Sequence, residues 1–124
     1  MSCFVISELG INHNGDIKIA KKMIKESKLC GASAVKFQKR DIDLVYDKET
    51  LSSKRESPWG STFRHQKEGI EFGLEEYKQI DEYSKSLNIE WFASAWDLNS
   101  LDFLKQFKLK YNKIASAMII DKKF

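Results

Sequence analysis

Four short apolar runs, separated by stretches of helical periodicity and loop, constrain this chain more than any single motif. They are Cys3 to Ser7, Ala34-Val35-Lys36-Phe37, Glu90-Trp91-Phe92-Ala93 and Tyr111 to Ala115. Each is of strand length and bounded by polar or turn-forming residues. Between the first two, Asp16 is placed to cap a helix with Ile19, Ala20, Met23 and Ile24 on one face and Gly31 just past its end. A second helix opens at Gly73, with Leu74, Tyr77, Ile80 and Leu87 at helical spacing and Asn88 as a stop. A third, capped by Asp97 or Asn99, carries Leu98, Leu101, Leu104 and Phe107. No helix is expected after the fourth strand. Residues 39–73 break the rhythm: they are charged, hold the only proline (Pro58) and are too long for a plain connection.

The resulting order, β-α-β-(long loop)-α-β-α-β, predicts a parallel sheet covered by helices. A doubly wound sheet and a (β/α)8 barrel both begin this way. A barrel needs about 250 residues, so on that alternative the 124 residues supply about half.

Composition narrows the partners. A 42% hydrophobic and 31% charged chain is globular, and a net charge of +3 with acids and bases interleaved forms no nucleic-acid stripe. No apolar run approaches the roughly 20 residues of a membrane helix. The start, Met1-Ser2-Cys3-Phe4-Val5-Ile6, lacks a basic signal-peptide segment. Cys3 and Cys30 have no metal-type spacing and are expected to be buried thiols in a reducing cytoplasm.

Polar residues gather at strand ends. The first strand leads into Glu8, Asn12, His13 and Asn14; the second carries Lys36 and Gln38 and ends at Lys39-Arg40; the third ends at Ser94; the fourth holds Lys113 and leads to Ser116. In parallel α/β folds the carboxyl ends of strands collect on one face, where ligands bind. Lys36 stands between Val35 and Phe37, where an ammonium is costly unless it meets an anion; the bland alternative is a stem that reaches water from the strand edge. Lys113, Glu8 and His13 have equally plain readings as an edge lysine, a loop acid and a turn residue. His65 falls in the polar loop. The two histidines lack metal-site spacing, and no glycine-rich phosphate loop or nucleophile elbow occurs. Trp59, Trp91 and Trp96 are read as packing residues.

The run Ser7-Glu8-Leu9-Gly10-Ile11-Asn12-His13-Asn14-Gly15 resembles the opening motif of the N-acetylneuraminate (sialic acid) synthase family. Ala34 to Gln38, Trp91 to Ser94 and Tyr111 to Ser116 are similar to its next three strands, in order, and Glu56 to Gly60 resembles a loop of one branch. The resemblance implies the N-terminal half of a TIM (β/α)8 barrel, about four parallel strands with covering helices. It also implies condensation of phosphoenolpyruvate with N-acetylmannosamine or a related N-acyl amino sugar to give a nonulosonic acid. Lys36, Gln38, Lys113 and Ser116 would bind phosphoenolpyruvate, Glu8 would be the catalytic acid/base, and Asn12 and Asn14 would shape a substrate loop. The chain departs from some members at Ala95 and at Ala117-Met118, which leaves the sugar open.

The family's divalent metal, manganese or magnesium, is held by later histidines. Its ligands, the C-terminal barrel half and the antifreeze-like domain that acts across dimers are therefore expected outside residues 1–124. The corresponding expectation is a chain inactive alone, completed by another barrel half or a homodimer. Two alternatives remain. One is a Schiff-base aldolase using Lys36 or Lys113. The other is a non-catalytic half-barrel that binds a partner through open sheet edges.

Overall fold

A computed structural model describes residues 3–124; Met1 and Ser2, where the leader reading begins, lie outside the described residues. Strand β1 (Ile6–Gly10) is followed by α1 (Ile17–Leu29) and β2 (Ala34–Lys39). The Asp16 carboxylate accepts from the N–H groups of Lys18 and Ile19, capping α1 as its position predicts. Gly31 follows the helix at φ +87°, a left-handed turn that favours glycine.

The long segment is structured throughout. It forms two short helices, α2 (Ile42–Val45) and α3 (Lys48–Ser52), an antiparallel hairpin of β3 (Lys54–Ser57) and β4 (Gly60–Thr62), and α4 (Phe63–Ile70). Sequence periodicity misses these elements because most are too short to repeat a pattern. Their packing depends on close approach instead. A Cβ on Gly69 would lie 2.1 Å from the Trp59 ring, and one on Gly15 would lie 2.0 Å from the Gly69 carbonyl oxygen. Hairpin, α4 and the β1–α1 loop therefore meet where only glycines fit.

The regular alternation then resumes with α5 (Leu74–Ser86), β5 (Glu90–Ala95), α6 (Leu98–Lys105) and β6 (Lys113–Ile114). A 3₁₀ turn at Ser116–Met118 follows β6, a helical element that the sequence reading did not expect. The fourth strand is also shorter than the expected 111–115, since only Lys113 and Ile114 pair with β5, at Ser94 and Ala95. Conversely, β1 begins later than expected and takes in Glu8 and Gly10.

All four main strands are parallel, in the order β1-β2-β5-β6. One sheet face carries Leu9, Val35, Phe37, Trp91 and Ala93, which form the core with Ala20 and Ile24 of α1, Tyr77 and Ile80 of α5, and Leu104 of α6. Period-two alternation puts Ile6, Glu8, Lys36, Gln38, Phe92, Ser94 and Lys113 on the other face. That face is concave. The ring of Phe4, just before the first strand, lies 5.1 Å from that of Tyr111, just before the last, and Tyr111 packs 5.7 Å from Phe92. Side chains from opposite sides of a four-strand sheet touch only when the sheet curls as a barrel does.

The expectation of buried thiols is wrong for both cysteines: Cys3 and Cys30 are exposed. Cys3 lies ahead of the strand pairing, and Cys30 caps the end of α1. Neither position is turned into the core.

Candidate functional site

Glu8 and Lys36 are register partners on β1 and β2, and both side chains stand on the concave face. They form an ion pair in which the lysine side chain is 12% exposed and the glutamate 50%. Lys36 Nζ also donates to Ser94 Oγ on β5 at 3.2 Å. The strand lysine therefore meets an anion, and the snorkelling alternative is set aside: Lys36 is held inward by groups from both neighbouring strands. Gly10 makes room beside the pair. It adopts φ +53°, and a Cβ there would stand 3.2 Å from Glu8 Oε1 and 3.4 Å from Gln38 Nε2. Glu8, Lys36, Gln38 and Ser94 thus form one contiguous polar row across three strands.

The remaining expected residues lie at its margins. Lys113 is in register with Ser94 but exposed, with Nζ donating to the Ile114 carbonyl at 2.5 Å. Ser116 is exposed in the 3₁₀ turn. Asn12 and Asn14 are exposed in the β1–α1 loop, Asn14 at φ +51°. His13, between them, is buried: its ring stacks on Phe72 at 3.9 Å, and its Nδ1 accepts from the Gly15 N–H. Burial pushes its pKa down to about 4, against a smaller opposing effect of the Gly10 backbone. It is a neutral packing histidine at neutral pH.

Alternation of β2 separates its two lysines. Lys39 faces the helices, where Nζ bonds Glu71 Oε1 at 2.9 Å and the Phe72 carbonyl at 3.0 Å, over the Phe103 ring. Beyond β2, Arg40 was expected only as part of the polar strand end and not as a site residue. Its guanidinium donates to Gln38 Oε1 and lies 4.2 Å from the Trp96 ring centre. The spacing Lys36, Gln38, Arg40 was the available signal, since period two places the third member in line with the others. Asp97, expected only as a cap, accepts from Ser100 N and Ser100 Oγ and also from Asp41 N, all at 2.7 Å. It ties the exit of β2 to the start of α6.

The described residues do not fit a divalent metal. Among them no group of three or more His, Cys, Asp or Glu is placed to hold one, and His13 is committed to its stack and to Gly15. The largely covered cation at Lys36 is suited instead to an anionic ligand. No helix among the described residues is long and apolar enough to cross a membrane.

A curled parallel sheet with a charged row on its helix-free face defines a half-barrel of the α/β barrel class, with a candidate site on the inner wall. Comparison with known proteins makes this specific. The NeuB family model matches residues 23–124, and the chain belongs to that family. It is 35% identical over 116 residues to N-acetylneuraminate-9-phosphate synthase of Mus musculus, covering 92% of this chain and 32% of the relative. It is 36% identical over 122 residues to N,N'-diacetyllegionaminic acid synthase of Legionella pneumophila, covering 96% and 34%. The crystal structure of N-acetylneuraminic acid (sialic acid) synthetase from Leptospira borgpetersenii, in complex with citrate, superposes with a TM-score of 0.78 at 29% identity over 95% of this chain and 38% of that one. The chain spans about a third of the length of the curated relatives it matches.

Proposed function

We propose that these residues form the phosphoenolpyruvate-binding wall of a nonulosonic acid synthase, which joins phosphoenolpyruvate to N-acetylmannosamine or a related N-acyl amino sugar. The observation that carries this reading is the inward-held Lys36, bridging Glu8 and Ser94 on the concave face. In the reaction, carbon 3 of phosphoenolpyruvate attacks the open-chain aldehyde of the sugar, water adds at carbon 2, and phosphate leaves with C–O cleavage. Negative charge moves between carboxylate, developing alkoxide and phosphate, so fixed cations lower the barrier.

Lys36 meets one anionic group of phosphoenolpyruvate. Lys113, in register beside Ser94, swings from the Ile114 carbonyl to the other, with Ser116 and Gln38 as neutral contacts. Glu8, half exposed and adjoining Gln38, positions the water or a sugar hydroxyl and moves its proton. Asn12 and Asn14 lie in the loop that follows Glu8 and bound the sugar. The manganese or magnesium that the reaction would use finds no ligand set among the described residues. On this reading the chain works in the cytoplasm.

The sheet edges give the partner. Both outer strands, β1 and β6, are sheet edges, and Ile6, Ile114, Ile119 and Ile120 are exposed near them. A complementing barrel half or a second copy of the chain covers those edges. Calorimetry with phosphoenolpyruvate, paired with a phosphate-release assay containing N-acetylmannosamine and manganese, tests the proposal. The expected result is binding by the 124-residue chain, lost in Lys36→Met, without phosphate release until a complementing barrel half is added. Binding unaffected by Lys36→Met overturns the assignment, and turnover by the chain alone overturns the need for a partner.

A further inference from the structure

His13 lies in the β1–α1 loop and is 3% exposed. Its ring stacks on Phe72, with centroids 3.9 Å apart and planes 16° from parallel, and lies 6.0 Å from the Phe37 ring. A phenylalanine would fill such an aromatic slot, whereas an imidazole brings two polar nitrogens that are costly to bury without partners. Both have partners, and both partners are backbone groups of the same loop. Nδ1 accepts from the Gly15 N–H at 3.1 Å. The Gly10 backbone makes the other bond, one that favours the protonated ring and therefore comes from its carbonyl. A nitrogen that accepts cannot also donate, so the ring proton stands on Nε2 and points at Gly10.

Gly10 is where the direction of Glu8 is set. Glu8 pairs with Lys36 but Gly10 pairs with Phe37, so Leu9 is an extra residue and the strand bulges there. A bulge with glycine in the left-handed region re-aims the side chains beside it, and Gly10 has φ +53°. Leu9 turns into the core, and Glu8 stays on the concave face. Gly10 stands directly against the carboxylate, since a Cβ on it would lie 3.2 Å from Glu8 Oε1. Glycine has the widest backbone freedom of any residue, so a bond to its carbonyl decides how firmly that wall stands. At the other end of the ring, Gly15 is locked against α4, where a Cβ would meet the Gly69 carbonyl oxygen at 2.0 Å. The imidazole thus ties a free bulge to a fixed turn.

We propose that His13 is a positioning residue for Glu8: its ring, stacked on Phe72 and bonded to the Gly15 N–H, fixes the Gly10 bulge and so aims the Glu8 carboxylate at Lys36. A working carboxylate has to be held within about 0.5 Å of its productive place, and this bond supplies that restraint from outside the polar row. The role rests on the reading of Glu8 as the acid/base and of Lys36 as the phosphoenolpyruvate cation.

Long-range nitrogen–proton NMR of the wild-type ring tests the bond without any substitution, and Nε2 is expected to carry the proton. Three variants test the role: His13→Phe, His13→Gln, and His13→Phe combined with Glu8→Gln. Phenylalanine keeps the stack and loses both bonds. Glutamine loses the stack and places its amide N–H near the position of Nε2. Urea unfolding at pH 7 is expected to rank His13→Phe above His13→Gln in stability. Calorimetry with phosphoenolpyruvate on the full chain is expected to rank them the other way, about tenfold weaker than wild type in His13→Phe and about threefold weaker in His13→Gln. The combined variant is expected to bind no more weakly than Glu8→Gln alone, because His13 acts through Glu8. The Glu8 and Gly10 amide signals are expected to move in His13→Phe and to return toward wild type in His13→Gln.

A proton on Nδ1, wild-type affinity in folded His13→Phe, affinities that follow the unfolding midpoints, or a combined variant weaker than Glu8→Gln by the full His13→Phe factor overturns the proposal. If His13→Phe loses its folded spectrum, His13→Asn, whose carbonyl oxygen replaces Nδ1 alone, takes its place. It is expected to bind more weakly than His13→Gln, and the reverse order overturns the role. Absence of phosphoenolpyruvate binding in wild type, with Glu8 and Gly10 signals moved by His13→Phe and restored by His13→Gln, sinks the phosphoenolpyruvate reading and supports the positioning of Glu8.

Discussion

The Glu8–Lys36 pair is unequally exposed, which makes the two ways of breaking it unequal. Glu8→Gln leaves the 12%-exposed lysine with the Ser94 hydroxyl at 3.2 Å as its polar partner. Stranding one member of a fully buried pair costs about 3–5 kcal/mol. Lys36 retains some solvent and Gln can still accept a bond, which reduces the cost to about 1–2 kcal/mol. Lys36→Met strands the 50%-exposed glutamate instead, which rehydrates, so the lost attraction is worth about 0–1 kcal/mol, as at a surface. Ser94 loses a donor, at about 1 kcal/mol, but removal of a desolvated ammonium offsets a similar amount. The net change is about zero, and the double variant should follow Lys36→Met rather than add the two effects. Urea unfolding of wild type, both single variants and the double variant, followed by tryptophan fluorescence, measures this. Both single variants should weaken phosphoenolpyruvate binding, so stability and binding separate. A Lys36→Met protein less stable than Glu8→Gln would refute the reasoning.

Two further outcomes follow from buried polar groups outside the row. His13 titrates near 4 when folded and near 6.5 when unfolded, so folding favours the neutral ring. That contribution, about 3 kcal/mol, is complete above pH 6.5 and is lost as pH falls through 6.5 toward 4. Urea midpoints should fall over that window in wild type and stay flatter in His13→Phe; equal slopes would remove the cause assigned. Asp97→Ala orphans the donors at Ser100 N, Ser100 Oγ and Asp41 N. It should cost about 2–4 kcal/mol, with Asp97→Asn recovering part of this in the same unfolding assay.

What the sequence made legible followed from periodicity. The helices α1, α5 and α6 and the parallel strands were readable because their apolar residues repeat over several turns or alternate across a pleat. The inward aim of Lys36 followed from its place between Val35 and Phe37. Residues 41–70 were opaque for the opposite reason: helices of four or five residues and a hairpin repeat nothing, and their order depends on the Trp59–Gly69–Gly15 contact. The cysteines misled because composition reports how often a residue type is buried, whereas the end of α1 decided Cys30. Lys39 and Arg40 were adjacent charges in the sequence, and only the pleat assigned one to the helix side and the other to the row.

That division explains how one strand serves both fold and site. On its helix side β2 spends Lys39 on Glu71 and the Phe72 carbonyl, fixing the exit of the 41–72 segment to the core. On its concave side Lys36 and Gln38 lie in the row while Arg40 begins the segment itself. A shift of the segment therefore moves Arg40 against Gln38, and Gln38 adjoins Glu8 across Gly10. Substitution at Glu71, which holds both Lys39 Nζ and Arg40 N, should thus disturb the row without touching it. In Glu71→Gln the Gln38 and Glu8 amide signals are expected to shift along with those of Arg40. If they stay fixed while Lys39 and Arg40 move, the row is held by the sheet alone.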